Sequence, residues 1–352
     1  MGRKKSKSKL KKPKHKKKTP TVRPDRSVPG PPWIDLPRDV TANILQRLDA
    51  FDILENVQRV CTTWRRVCQD PAMWRVIVLR DPGDLHRCYD LNRMCCHAVD
   101  RSQGNLIELH IEYFGDDEML HYIAERSSRL RRLTLACCYD ISGEGLSEAV
   151  KKFPQLEELH LTIMPGVQAA EIEMIGISCP MLKSFTFNES GHKYPYNDLS
   201  DDEFMEGPEL NEHAVAVAKS MPNLCHLRLF ANLMKNEGLQ AILDGCPKLE
   251  SLDLRQCYGV DLGGDLGKRC TQQIKDLRRP LDSVDDYEWD AGQSPEGPYS
   301  PIYSDSFSFE GYDYAGGYDS YESYDYDDYT NPFCSEYLCD DDLWFLNRLN
   351  FP

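Results

Sequence analysis

Cysteine and histidine are the residues best suited to metal chemistry in this sequence, and their spacing is incomplete for it. Cys95-Cys96-His97 has no second ligand pair at zinc-finger spacing. Cys334 and Cys339, beside Asp340, form a similarly partial pattern. We therefore expect no metal site and no cofactor.

Motifs of nucleophilic, metalloprotease and phosphate-binding chemistry are also missing, since the sequence contains no GxSxG, HExxH or GxxxxGK[ST]. His192, His213 and His226 show no catalytic spacing, and the glycines of residues 259–267 do not fit GxGxxG. The sequence predicts a non-catalytic protein. One of the fourteen cysteines acting as a ligase nucleophile is the open alternative.

Charge is distributed very unevenly along the 352 residues. Residues 1–32 hold thirteen Lys and Arg against one acid, whereas residues 282–342 hold eighteen Asp and Glu and no base. Neither segment can bury much apolar surface, so we expect a disordered basic arm with a Pro-rich linker at 1–32 and a disordered acidic, Tyr-rich tail at 282–342. The apolar segment 343–352 is either a docking peptide or packs on the end of the preceding domain.

The basic arm has three interpretations: a solvated spacer, a nuclear-import signal or a nucleic-acid patch. The acidic tail is a solubilising spacer, a phosphorylation-tuned partner segment or an intramolecular counterpart of the arm.

No apolar run approaches the ~18 residues that span a bilayer, and the lysine-rich start lacks the apolar region of a signal peptide. Fourteen cysteines then indicate free thiols in a reducing compartment, the nucleus and/or cytoplasm.

Two amphipathic helices are predicted between Trp33 and Trp74. Pro37 suits a first helical turn, and Asp52 with Glu55 has the spacing of a capping box, so a second helix should start near Ile53. Its apolar stripe is too wide for two helices to bury on each other. Either it covers a larger domain of this chain or it binds another protein.

Leu36-Pro37 opens the segment, Val60-Cys61-Thr62-Thr63-Trp64 lies in its second half and Trp74 closes it. This order resembles the F-box, which begins with Leu-Pro, carries V-C-x-x-W in its last long helix and closes on a second Trp. This resemblance covers 33–75 and implies docking to the Skp-type adaptor of cullin–RING ubiquitin ligases. The residues that the resemblance assigns to this docking surface are Leu36, Pro37, Ile44, Leu45, Leu48, Val60, Cys61, Trp64 and Trp74.

A repeat with the pattern L-x-x-L-x-L follows, beginning at residues 106, 130, 156, 182, 224 and 249. All steps but one lie in the ~20–29-residue period of leucine-rich repeats, each a strand and a returning helix. The long step contains a polar insertion near 189–208. Three residues after its last leucine, such a repeat prefers Asn or Cys, and this position holds Cys138, Asn232 and Cys257. The region resembles the plant F-box/leucine-rich-repeat proteins. The expected fold is α/β: a helical F-box followed by a curved leucine-rich-repeat solenoid over 76–281.

Side chains between the leucines should point outward and form a concave recognition face. They carry mixed charge, imidazoles and one aromatic, which favours a protein partner over nucleic acid. The residues proposed for target binding are His110, Arg132, His160, His226, Arg228, Phe230 and Arg255.

These features predict the substrate-recognition subunit of a Skp–cullin–F-box ubiquitin ligase, which positions an unknown protein target and leaves catalysis to its partners. The alternative is a nuclear, nucleic-acid-associated scaffold that uses the basic arm and keeps the repeats as a protein-binding platform.

Overall fold

A computed structural model describes Trp33 and residues 36–81, 89–189 and 208–287. The predicted basic arm, the body of the insertion and the acidic tail beyond Tyr287 lie outside these residues. Of the helices described, none combines the length and apolar character needed to cross a membrane.

Short helices form the first part of the described chain. Their bounds are α1 Arg38–Leu45, α2 Ala50–Asp52, a π-helical turn Ile53–Val57, α3 Gln58–Val60, α4 Thr62–Cys68 and a 3-10 turn Pro71–Trp74.

The caps of these helices differ from the prediction. Asp49, not Asp52, caps the second helix, because its carboxylate accepts a hydrogen bond from the Asp52 N–H at 2.8 Å. The helix ends at Val60, since Cys61 is extended (φ −160°, ψ 167°) and its Sγ accepts from the Trp64 N–H at 3.4 Å. The stripe expected on one helix is thus divided between two, with Cys61 as the cap of the second.

Eight strands follow and form one parallel sheet in chain order. They are β1 Val76–Arg80, β2 Glu108–Glu112, β3 Arg132–Ala136, β4 Glu158–Thr162, β5 Ser184–Asn188, β6 His226–Arg228, β7 Ser251–Asp253 and β8 Asp276–Arg278. The helices that return between them are α5 Leu91–Ser102, α6 Asp117–Arg126, α7 Gly143–Val150, α8 Ala169–Ser178, α9 Glu212–Ser220, α10 Asn236–Gly245 and α11 Gly264–Gln273, with a 3-10 turn Pro208–Asn211 before α9. The α/β solenoid expected after a helical N-terminal unit is confirmed.

The register of the repeats is also confirmed across the insertion. β5 pairs directly with β6, and Phe185 lies opposite Leu227. The long step therefore contains one repeat, and its extra residues lie in the sequence between strand β5 and helix α9.

Two repeats lie beyond the six predicted from the sequence. Trp74, Ile77 and Leu79 occupy the three leucine positions of a first repeat, since Ile77 pairs with Leu109. At the other end Leu277 pairs with Leu252 and forms a last strand. The signal in each case is the same spacing with atypical residues.

Strand burial follows the predicted alternation only over the first part of each repeat. The leucine positions are buried, whereas the residue directly after the last leucine, expected to point outward, is buried too. This column contains Glu112, Ala136, Thr162, Asn188, Phe230 and Arg255. The chain turns away just after it, because the next residue has positive φ in most repeats: Tyr113, Cys137, Ile163, Ala231 and Gln256.

The Asn/Cys position then anchors this bend to the neighbouring repeat. Cys257 Sγ donates to the Leu229 carbonyl at 2.7 Å, and the Asn232 amide donates to Glu189 Oε1 at 2.7 Å while its oxygen accepts from the nearby Met234 N–H. Cys138 makes the equivalent, longer contact with the Ile111 carbonyl. These residues supply the hydrogen bonds that a strand-to-helix bend would otherwise leave unsatisfied.

Candidate docking surfaces

Helix α1 carries two neighbouring rows of side chains, one buried and one exposed, about 100° apart around the helix axis. Thr41 and Leu45 point into the chain's own core, whereas Val40, Ile44 and Leu48 form an exposed row at four-residue spacing. Ile44 alone leaves 47% of its surface in water. A contiguous exposed apolar row of this kind is a candidate protein-binding surface.

Other docking residues predicted from the sequence lie on neighbouring elements. Val60 is 54% exposed at the end of α3, and Pro37 is exposed at the start of α1. Leu36, Cys61 and Trp64 are half-buried. Trp64 packs against the edge of the core.

Trp74 and Leu45 lie inside the chain's own core, each 1% exposed. The indole N–H of Trp74 donates to the Cys68 carbonyl at 2.7 Å, and the Arg101 guanidinium lies over the ring, 5.4 Å from its centroid. Arg101 also donates to Gln58 at 3.1 Å. Trp74 therefore connects the helical unit to the first repeat. The other seven predicted residues are exposed or half-buried.

The concave face of the sheet contains a polar groove of about 650 Å³. It brings together His110, His160, His226 and Arg228 of the predicted target-binding set. Arg132 lies beside Glu108 of the neighbouring strand, with Nε to Oε2 at 2.8 Å. The first and last strands add residues that were not predicted: Arg80, Asp276 and Arg278. Recognising Trp74 and Ile274 as the first leucine positions of two further repeats would have identified these residues.

Each arginine that lines this groove faces a carboxylate. Arg80 Nε lies 2.9 Å from Glu112 Oε1, Arg228 Nε lies 3.5 Å from Asp253 Oδ2, and Arg278 pairs with Asp286. His160 Nδ1 is 2.8 Å from the Thr186 hydroxyl. The groove is therefore a surface of paired charge and hydroxyl groups rather than a basic channel.

Phe230 and Arg255 are not free surface residues, contrary to the prediction. Phe230 is 0% exposed because Tyr287 stacks on it. Arg255 is almost fully buried, with its Nε and Nη2 bound to the Asp253 carboxylate. Both belong to the buried column that follows the last leucine, which a two-residue strand alternation does not anticipate.

The described cysteines are free thiols, many of them buried. Burial raises the thiol pKa to about 11 in Cys96, Cys137 and Cys246 and to about 12 in Cys138, Cys179 and Cys257. It also raises the pKa of Cys95. Since the thiolate is the reactive form, these buried thiols are structural groups and poor nucleophiles.

Comparison with known proteins finds a family match in the helical unit and plant relatives over most of the chain. A family model described as F-box-like matches residues 33–80. The F-box protein SKIP19 of Arabidopsis thaliana is 43% identical over 84% of this chain and 92% of its own length. F-box/LRR-repeat protein 21 of the same plant is 45% identical over 73% of this chain and 84% of its own length.

Two other matches are less complete. F-box/LRR-repeat protein 23 of Arabidopsis thaliana is 47% identical over 72% of this chain, which spans 54% of that relative. A solved chain in the crystal structure of the Rad7 and Elc1 complex in yeast has a TM-score of 0.31 at 12% identity, over 64% of this chain and 85% of that chain. That likeness is too weak to carry an argument. The high identity to SKIP19 over nearly its whole length, together with the F-box-like match and the repeat sheet, shows that the chain belongs to the F-box/leucine-rich-repeat proteins found in plants.

Proposed function

We propose that this chain is the substrate-recognition subunit of a Skp–cullin–F-box ubiquitin ligase. Its helical unit docks the Skp-type adaptor and its repeats hold a protein target. The observation that supports docking best is the exposed apolar row of Val40, Ile44 and Leu48 with Val60. Water-exposed side chains of this size gain most by burial against a partner.

Co-purification of the full chain with a Skp-type adaptor tests the docking surface. Ile44→Asp places a charge in the centre of the apolar row and should weaken adaptor binding at least roughly 30-fold, the effect of losing an interface anchor of about 2 kcal/mol. Ile177→Asp is the matched control, because Ile177 is 65% exposed on a repeat helix. Equal adaptor binding by both variants would refute the docking surface.

The concave groove is the proposed target surface. Its paired arginines and carboxylates, its imidazoles and its hydroxyl groups can exchange hydrogen bonds with a polar protein segment. His226→Gln with Arg228→Gln removes two groove contacts and should reduce the set of proteins captured in affinity purification. His121→Gln with Arg129→Gln makes the same chemical change on exposed residues outside the groove.

We propose that the protein supplies no nucleophile and acts by holding the target near a charged conjugating enzyme. The raised thiol pKa values support this role. A ubiquitination assay with purified ligase components should lose activity when Ile44→Asp blocks docking. Replacement of the half-exposed thiols Cys96 and Cys225, which lie outside the docking surface, with Ser should leave the activity in place.

The nucleic-acid alternative depends on the basic arm. If it held, salt-sensitive retention on nucleic acid would disappear when residues 1–18 are deleted. The ion pairing in the described groove favours a protein ligand. We also propose that the arm directs the chain to the nucleus, which imaging of the same deletion tests.

A further inference from the structure

A short segment after the last strand lies beside one end of the concave groove, where Asp286 contacts the groove residue Arg278. We call residues 282–287 the terminal strap. The Tyr287 ring lies parallel to Phe230, with centroids 3.7 Å apart and planes 3° apart. The Asp286 carboxylate accepts from both Arg255 and Arg278, and the Ser283 carbonyl accepts from Arg255 at 3.1 Å. The strap is thus bound through one aromatic ring, one carboxylate and one carbonyl.

Three residues from successive repeats form the surface beneath the strap, which we call the Phe230 site. Phe230 follows β6, Arg255 follows β7 and Arg278 lies in β8. The Arg255 guanidinium carbon is 5.8 Å from the centre of the Phe230 ring. A flat aromatic surface beside two guanidinium groups has the chemistry that recognises an acidic residue next to an aromatic one.

The strap is held in a way that permits exchange. The Asp286 side chain is 55% exposed, and its ion pair with Arg278, which is 42% exposed, contributes little to stability. The stacked Tyr287, at 3% exposed, and the bond from buried Arg255 to Asp286 make the main contributions. Arg278 lines the concave groove and also binds Asp286, so the Phe230 site continues directly into the groove.

The sequence repeats the bound motif outside the described residues. Asp285-Asp286-Tyr287 recurs as Asp327-Asp328-Tyr329, and the shorter Asp-Tyr pair occurs at 313–314 and 325–326. A segment needed only to close the last repeat would require a single copy.

We propose that the Phe230 site is a peptide-binding site for an Asp-Tyr motif of a partner protein, and that the terminal strap occupies it in cis until a partner displaces the strap. This assignment rests on the proposed role of the concave face in target recognition, and it defines one target class: proteins with an exposed acidic segment that contains Asp-Tyr. The strap lowers the apparent affinity for such a partner, because a tethered competitor acts at an effective concentration of about millimolar.

Fluorescence anisotropy of a labelled peptide with the sequence of residues 282–290 tests the proposal. The full chain first loses its own Asp-Tyr motifs through Asp286→Ala and Tyr287→Ala together with Tyr314→Ala, Tyr326→Ala and Tyr329→Ala. We call this variant the emptied chain. The emptied chain should bind the peptide at least tenfold more tightly than the wild type. The same peptide with alanine in place of its central Asp and Tyr should bind at least tenfold more weakly, and so should the natural peptide after Arg278→Gln in the emptied chain.

Absence of saturable binding up to about 1 mM, or binding that is indifferent to Arg278→Gln, would overturn the proposal. Should the emptied chain not fold, hydrogen exchange of the wild-type strap gives an independent answer. Deuterium uptake of residues 282–287 should rise with the Asp-Tyr peptide and stay constant with the alanine peptide. Adaptor co-purification run in parallel separates the two proposals, since a failed Phe230 site leaves adaptor docking unchanged.

Discussion

Trp74 offers the sharpest test of how the helical unit and the repeats are joined. Its side chain is fully enclosed, and its indole N–H donates to the Cys68 carbonyl. Trp74→Ala should lower the free energy of unfolding by about 3–5 kcal/mol, the usual cost of emptying a large aromatic core position. Trp74→Phe keeps most of the packing and loses the hydrogen bond, which should cost on the order of 1–2 kcal/mol.

Urea denaturation, followed by tryptophan fluorescence and by far-UV circular dichroism, measures both variants. Ile44→Ala is the control from the opposite class, because its side chain is 47% exposed and its loss should change stability by less than about 0.5 kcal/mol. Adaptor binding should follow the reverse order: reduced by Ile44→Ala, and retained by folded Trp74→Phe. A Trp74→Ala variant with wild-type stability and no adaptor binding would place Trp74 on the docking surface and refute its assignment to the core.

Three further features give testable expectations for stability: the backbone at Ala231, the insertion and the Asp286 carboxylate. Ala231 has φ 58°, so Ala231→Gly should raise stability by about 0.5–1 kcal/mol in thermal unfolding, whereas Ala216→Gly inside helix α9 should lower it by a similar amount. Deletion of 191–207 should shift the melting temperature little, because the flanking strands already pair; a cooperative loss of folding would contradict this. The hydrogen bond from Arg278, reinforced by Arg255, lowers the pKa of Asp286 to about 2, below the unfolded value of about 3.9, so the stability it confers is complete above pH 4 and declines as the pH falls toward 2. The stability difference between wild type and Asp286→Asn should narrow over that range, and a constant difference would show that the ion pairs do not stabilise the strap.

The repeat architecture was accessible from the sequence because leucine at fixed positions is sufficient to define strand, register and period. Leu109, Leu133 and Leu159 lie opposite one another as the spacing predicted. The two end repeats were missed because Trp74 and Arg279 stand where leucine was sought. Position within the repeat, rather than residue type, carries the information at the ends of a solenoid.

The exposed side of α1 was partly accessible for a similar reason. Ile44, Leu45 and Leu48 were all assigned to the docking surface, and the structure turns Leu45 inward while the other two stay in water. An apolar stripe cannot by itself show which of its members faces the rest of the chain. The order of Leu-Pro, Cys and Trp identified the family but gave Cys61 and Trp74 no distinct structural roles.

The recognition face was the least predictable part. Alternation within a strand correctly assigned His110, His160 and Arg228 to the groove. It failed at Phe230 and Arg255, which follow their strands and are covered by Ser283 and Tyr287 from the segment after the last strand. Tyr287 packs against the last repeats. The solenoid was expected to end at residue 281, because the sequence around Tyr287 resembles an unstructured tail.

Only Arg75 separates the last residue of the helical unit from the first strand, and Trp74 belongs to the packing of both. Because no linker separates the two units in the described chain, the ligase subunit proposed above would hold a target in the groove at a nearly constant distance and angle from the conjugating enzyme. Among targets of equal affinity, those with a lysine inside that fixed zone would then be modified and the others would be spared. Inserting a flexible glycine-serine segment after Arg75 should therefore broaden the range of lysines modified on one target without changing how tightly the target is held.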